Sequence, residues 1–119
     1  MDSWKSGNVT LNAGCDDADE WVHVDITLTG KFRLSWYFTL ERRQVELRRS
    51  VEEDLARNGD SAHLEWIWAR REEDGESWIV LRRHGLDLSD KSSREVGQEW
   101  VTRAVGAFSR HFGPLLDTL

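Results

Sequence analysis

The stretch WIWARREEDGESWIVLRRHG, residues 66–85, constrains the fold more than any other part of the chain. It reads as two short strands around an acidic turn centred on Asp74-Gly75, a dipeptide suited to a tight hairpin. That turn pairs Trp68 with Leu81, Trp66 with Arg83, and Glu65 with His84. Trp66, Trp68, Ile79 and Leu81 then share one face, and Ile67, Ala69, Trp78 and Val80 the other. A strand pair open to water on one side alternates apolar with polar residues, because its backbone pleat turns successive side chains to opposite faces. This pair is apolar on both sides, so both are expected to be covered. The arginines at the strand ends are placed to lay guanidinium planes over tryptophan rings while their charge stays wet.

The flanking segments supply possible covers. In EWVHVDITLTG, Val22, Val24, Ile26 and Leu28 alternate with His23, Asp25 and Thr27; in KFRLSWYFTL, Phe32 to Leu40 repeat the pattern. Thr29-Gly30-Lys31 is read as the turn between two antiparallel strands, and RQVELRRS as a third strand. A weaker strand is read at Val9 to Ala13. Two Ser-x-x-Glu capping boxes, Ser50 to Glu53 and Ser92 to Glu95, predict helix starts. The first helix is expected to end at Asn58-Gly59. The second carries Trp100, Val101, Ala104, Val105, Phe108 and Phe112 at helical spacing and is expected to stop at Gly113-Pro114. These readings give an α+β fold over residues 1–119 as a single domain. Its antiparallel sheet has about five strands in the order β-β-β-α-β-β-α, and its long C-terminal helix packs on one sheet face.

A chain of 119 residues is large enough to bury one core without disulfides. The single cysteine, Cys15, forms no intramolecular disulfide and no cysteine-based zinc site. No apolar run approaches the ~18 residues of a membrane span, and residues 1–8 lack the apolar centre of a signal peptide, so the expected location is cytoplasmic, with no membrane partner. A net charge of −6 argues against generic binding along a phosphate backbone.

No catalytic set emerges. The four histidines have no metal spacing, His63-Leu-Glu65 lacks the cysteine pair that a zinc deaminase needs, and neither a phosphate-cradling glycine loop nor a nucleophile elbow is present. The chain is therefore read as no enzyme, with no catalytic residue, no metal and no cofactor. The residues singled out for binding are Arg33, Tyr37, Arg48, Trp66, Trp68, Trp78, Arg82 and Arg83, since tryptophan, tyrosine and arginine dominate association hot spots. His23, Asp25, Arg33 and Tyr37 are expected on neighbouring strands of one polar face.

The segments WYFTLERRQVELRRS, HLEWIW, SWIVLRRHGLDL and EWVTRAVGAFSRHFGPLL together resemble a bacterial domain of unknown function found C-terminal to restriction-nuclease-like domains. The resemblance covers about residues 20–116 and implies a role in recognition or assembly near nucleic-acid defence. The order of elements is also similar to that of small acidic secretion chaperones, which are dimers.

The expected function is a non-catalytic protein-interaction or assembly domain that forms a homodimer, with another protein as a further possible partner. One alternative is an accessory domain of a restriction or nuclease system that contacts nucleic acid through Arg33, Arg48, Arg70, Arg82 and Arg83. Another is a small acidic phage-type inhibitor, or a chaperone-like binder, of a second protein.

Overall fold

A computed structural model describes residues 3–4, 9–16, 21–29, 33–57, 63–71 and 76–118. The elements are β1 (Ser3–Trp4), β2 (Val9–Asp16), β3 (Trp21–Leu28), α1 (Arg33–Glu41), α2 (Gln44–Ala56), β4 (Leu64–Arg70), β5 (Ser77–Arg83) and α3 (Lys91–Asp117). The strands form one antiparallel sheet in the order β1-β2-β3-β5-β4. Four strands of seven or eight residues make up its body, and the two-residue β1 pairs with the start of β2. The α+β class, the antiparallel sheet and the long C-terminal helix agree with the sequence reading, but four full strands rather than about five build the sheet, and two helices rather than one stand between β3 and β4.

Period-two burial defines the covered face. Val22, Val24, Ile26 and Leu28 of β3 are buried, and the register places Val9 and Leu11 of β2, and Ile79 and Leu81 of β5, in the same rows. Trp66 and Trp68 of β4 continue those rows and pack against the core. All three helices lie on this face. Trp100, Ala104, Phe108, Phe112 and Leu116 bury one stripe of α3 at helical spacing. Gly97 brings the start of that helix close to the sheet, because a Cβ there would stand 3.2 Å from Leu86 Cδ1 and 3.3 Å from Val22 Cγ1. Between β5 and α3 the chain turns at Gly85, whose φ of 86° is a left-handed value that side-chain-bearing residues rarely adopt.

Over its described part, from residue 33, the expected strand at residues 31–40 is the helix α1. Its aromatics satisfy a two-residue period and a 3.6-residue period alike, and the helical set wins by burial: Tyr37 and Leu40 are in the core, Trp36 packs against it, and Ser35 and Phe38 are exposed. The expected strand at residues 43–50 belongs to α2, in which Leu47, Val51, Asp54 and Leu55 bury one face. Ser50 is therefore an interior helical residue rather than a cap, and the helix starts after Arg43, which pairs with Glu46 at 3.3 Å. The later capping box is displaced: Asp90 is the N-cap of α3, and its side chain accepts from the Ser93 amide. α3 runs past Gly113-Pro114 to Asp117; Pro114 gives up the bond its amide would make to the turn before it, and the helix ends three residues later.

The proposed turns at Thr29-Gly30-Lys31 and Asp74-Gly75, and the stop at Asn58-Gly59, fall wholly or partly outside the described residues. No helix among the described residues is long and apolar enough to cross a membrane.

Candidate association surface

The face of the sheet turned away from the helices is built from the opposite strand parity. Its rows run Thr10, Thr27, Trp78, Ala69; then Asn12, Asp25, Val80, Ile67; then Gly14, His23, Arg82, Glu65. The β2 and β3 half is polar and the β5 and β4 half is apolar. Ile67, Ala69, Trp78 and Val80 are neither fully buried nor fully exposed. The first two rows therefore cross from hydrogen-bonding groups to apolar side chains that no described element covers, and the third closes the patch with Arg82 and Glu65.

Charged side chains frame that patch. The Arg71 guanidinium lies 5.2 Å from the Trp78 ring centroid and pairs with Glu76 at 3.0 Å. Arg82 lies 4.4 Å over Trp21 and reaches Glu65 at 3.4 Å, which His84 also approaches at 3.5 Å. On the polar half, Asp25 accepts from Asn12 at 3.3 Å and from Thr27 at 3.1 Å, and His23 Nε2 stands 3.2 Å from its second oxygen. An apolar centre with a polar, aromatic and arginine-rich rim is the anatomy of a recognition surface.

The hairpin register differs from the expected one by two residues. Trp66 faces Leu81, Trp68 faces Ile79, and Glu65 faces Arg82. An even shift keeps every side chain on its face, so the division into two apolar faces survives. Glu65 and His84 meet diagonally rather than directly.

The residues singled out from the sequence do not form one site. Trp78 and Arg82 lie on the open face. Trp66 and Trp68 lie on the covered face, where Trp66 stacks on Phe108 at 5.7 Å with the rings 6° from parallel and Trp68 meets Phe112 at 6.2 Å. Tyr37 is buried in α1, 6.4 Å from the Trp68 ring, and not on a polar strand face beside His23. Burial, with the neighbouring Glu41 carboxylate, pushes its hydroxyl up to about 12. Arg48 sits 5.9 Å from the Trp66 ring, Arg83 ends a covered-face row opposite Leu64, and Arg33 begins α1. Trp21 and Asn12, which the sequence reading did not select, join the open surface through strand parity alone.

Two further features lie on the helical side. A cleft of about 400 Å³ opens between β2, β3 and the first half of α3, walled by Ala13, Val22, Leu88, Gly97 and Val101, with Cys15 and Arg94 at its polar margin. Arg94 Nη1 is directed at the Leu88 and Ser89 carbonyls, which ties the chain before α3 to the helix. Asp54 of α2 accepts two bonds from Arg110 of α3, at 2.8 and 2.9 Å, and meets His111 Nε2 at 3.0 Å. The Arg110 guanidinium holds the Asp54 carboxyl below the usual carboxylate range, and His111 adds to the effect. This trio clamps two helices together. Among the described residues no group of three or more His, Cys, Asp or Glu side chains is arranged to hold a metal ion.

Comparison with protein-family models, with curated proteins and with solved structures returned no match.

Proposed function

We propose that this protein is a non-catalytic association domain that assembles as a homodimer on the β4–β5 hairpin, with the open sheet face as its recognition surface. The observation that carries this reading is the half-buried apolar patch of Ile67, Ala69, Trp78 and Val80, which no described element covers, rimmed by Arg71, Arg82 and Glu65, on a sheet whose helices all occupy the other side. Patches of that kind on small domains mark binding sites, because half-buried tryptophan and branched aliphatic side chains gain from being covered fully. Twofold self-association is the commonest way to cover them.

The arginines invoked for nucleic acid are divided between the two sides of the sheet: Arg82 is on the open face, while Arg48, Arg70 and Arg83 are on the helical side. With a net charge of −6 they make no single cationic track, which favours protein over nucleic acid as the partner.

The test is the solution mass by light scattering, for the native chain and for Val80→Asp, with circular dichroism to confirm that the variant is folded. The native protein is expected at twice the chain mass of 13.8 kDa and folded Val80→Asp nearer to one. A native mass of one chain at every concentration would overturn the reading.

A further inference from the structure

β4 is an edge strand, and its outer edge is turned away from its own fold. The Arg71 amide donates to the Glu76 carbonyl at 2.8 Å, and the His84 amide to the His63 carbonyl at 3.2 Å. Odd-numbered residues of β4 thus point their backbone groups at β5. The backbone groups of Leu64, Trp66, Trp68 and Arg70 consequently point off the sheet, where no described strand pairs with them. Edges are commonly guarded by proline, by a bulge or by inward-pointing charge, and the centre of β4, Trp66 to Ala69, has none of these. The opposite edge is already occupied at its start by β1.

We infer that the outer edge of β4 pairs antiparallel with the β4 of a second copy, on a twofold axis through Trp68, to give one sheet continuous across both chains. This rests on the association reading above and specifies its geometry. Antiparallel pairing that keeps each face on its own side leaves three central registers, with Trp66, Ile67 or Trp68 opposite itself.

The charges choose among them. With Trp68 on the axis, Glu65 stands opposite the second copy's Arg71 on the open face, and Trp66 opposite its Arg70 on the covered face; every end of the ladder is complementary. Glu65, already held by Arg82 and His84 of its own chain, faces Ile67 when Trp66 is on the axis and Ala69 when Ile67 is, so in both registers it gains no charged neighbour across the ladder. The Trp68 register also sets Ile67 beside the second copy's Ala69, so that the two open patches become one.

α2 fits the same symmetry. It flanks β4 through the hydrogen bond from Trp66 Nε1 to Glu52 at 3.1 Å. Its outer surface carries Val45, 68% exposed, followed by Arg48 and Arg49 and then by Glu52 and Glu53. A basic pair one turn before an acidic pair is self-complementary when the helix lies antiparallel to its own copy.

The test is a mixed disulfide, with Cys15→Ser introduced throughout. Ile67 and Ala69 point their backbone groups at β5, so across the proposed ladder they form a non-hydrogen-bonded pair with Cα atoms about 4.5 Å apart, within disulfide range. Ile67 and its own copy are roughly 8 Å apart, beyond it. Mild oxidation of Ile67→Cys mixed with Ala69→Cys is expected to give a covalent heterodimer, while each variant alone gives little cross-linked product. A covalent Ile67→Cys homodimer as the main product overturns the register. A light-scattering mass of two chains with no cross-link in any arm overturns the edge pairing and leaves the association reading standing; a mass of one chain overturns both.

Discussion

Phe108 is the residue whose loss tests the packing of α3 on β4 most sharply. It is fully buried, stacks on Trp66 at 5.7 Å and lies 5.0 Å from the Phe112 ring. Phe108→Ala removes a whole ring from the seam where α3 meets β4, and the flanking aromatics are themselves held, Trp66 by Glu52 and Phe112 by Trp68. The site cannot collapse freely, so the cost belongs in the upper part of the ~3–5 kcal/mol range for such truncations, near 4 kcal/mol. Against a total stability of ~5–15 kcal/mol for a domain of this size, that is a large share. The urea midpoint should fall with the slope unchanged, and the melting temperature should drop by roughly 15 °C. Val45→Ala, at a position 68% exposed, is the control and should change stability by less than ~0.5 kcal/mol. If Phe108→Ala cost no more than that control, the stacked seam would not be holding the helix to the sheet.

Asp54→Asn should weaken the clamp between α2 and α3 by about 1–2 kcal/mol, measured by urea unfolding near neutral pH, since Arg110 is exposed enough to find water in exchange. Because the Asp54 carboxyl is held below its ordinary value of 3.8, its contribution is present above that value and is lost as pH falls further; the variant should lack this part of the acid transition, and an identical acid limb would count against the clamp. Tyr37 behaves in the opposite sense: its hydroxyl is pushed up from 10.0 to about 12, so stability is expected to hold below pH 10 and to decline between those values as only the unfolded chain ionises. Tyr37→Phe should flatten that alkaline decline. Gly85→Ala should cost about 1 kcal/mol because of the left-handed backbone at that turn, and an unchanged melting temperature would mean the turn relaxes.

β3 and α3 were legible in the sequence because each obeys one periodicity without rivals, and the β4–β5 hairpin because two short aromatic and β-branched runs flank an Asp-Gly dipeptide. The alternating burial of Val22, Val24, Ile26 and Leu28 is what their spacing requires. The segment from 33 to 56 was not legible in the same way. Its aromatic and aliphatic residues fit two periods over short windows, and only the core they enter, with Tyr37, Leu40, Leu47, Val51 and Leu55 converging on one sheet face, decides for helix. The open patch was half legible. Strand parity assigns Ile67, Ala69 and Val80 to one face after any even shift of register, but that all three helices would choose the other face depends on residues far apart in the chain. Tryptophan and arginine content pointed to Trp78 and Arg82 on that face but equally to Trp66 and Trp68, which the covered side of the sheet uses for packing.

Amide hydrogen exchange on the native chain, followed from dilute to concentrated solution, addresses the assembly most directly. The amides of Ile67 and Ala69 are bonded to β5 and should be protected at every concentration, whereas those of Trp66, Trp68 and Arg70 should be slow only where the mass corresponds to two chains. Fast exchange of these outward amides in solutions of two-chain mass would contradict pairing through β4.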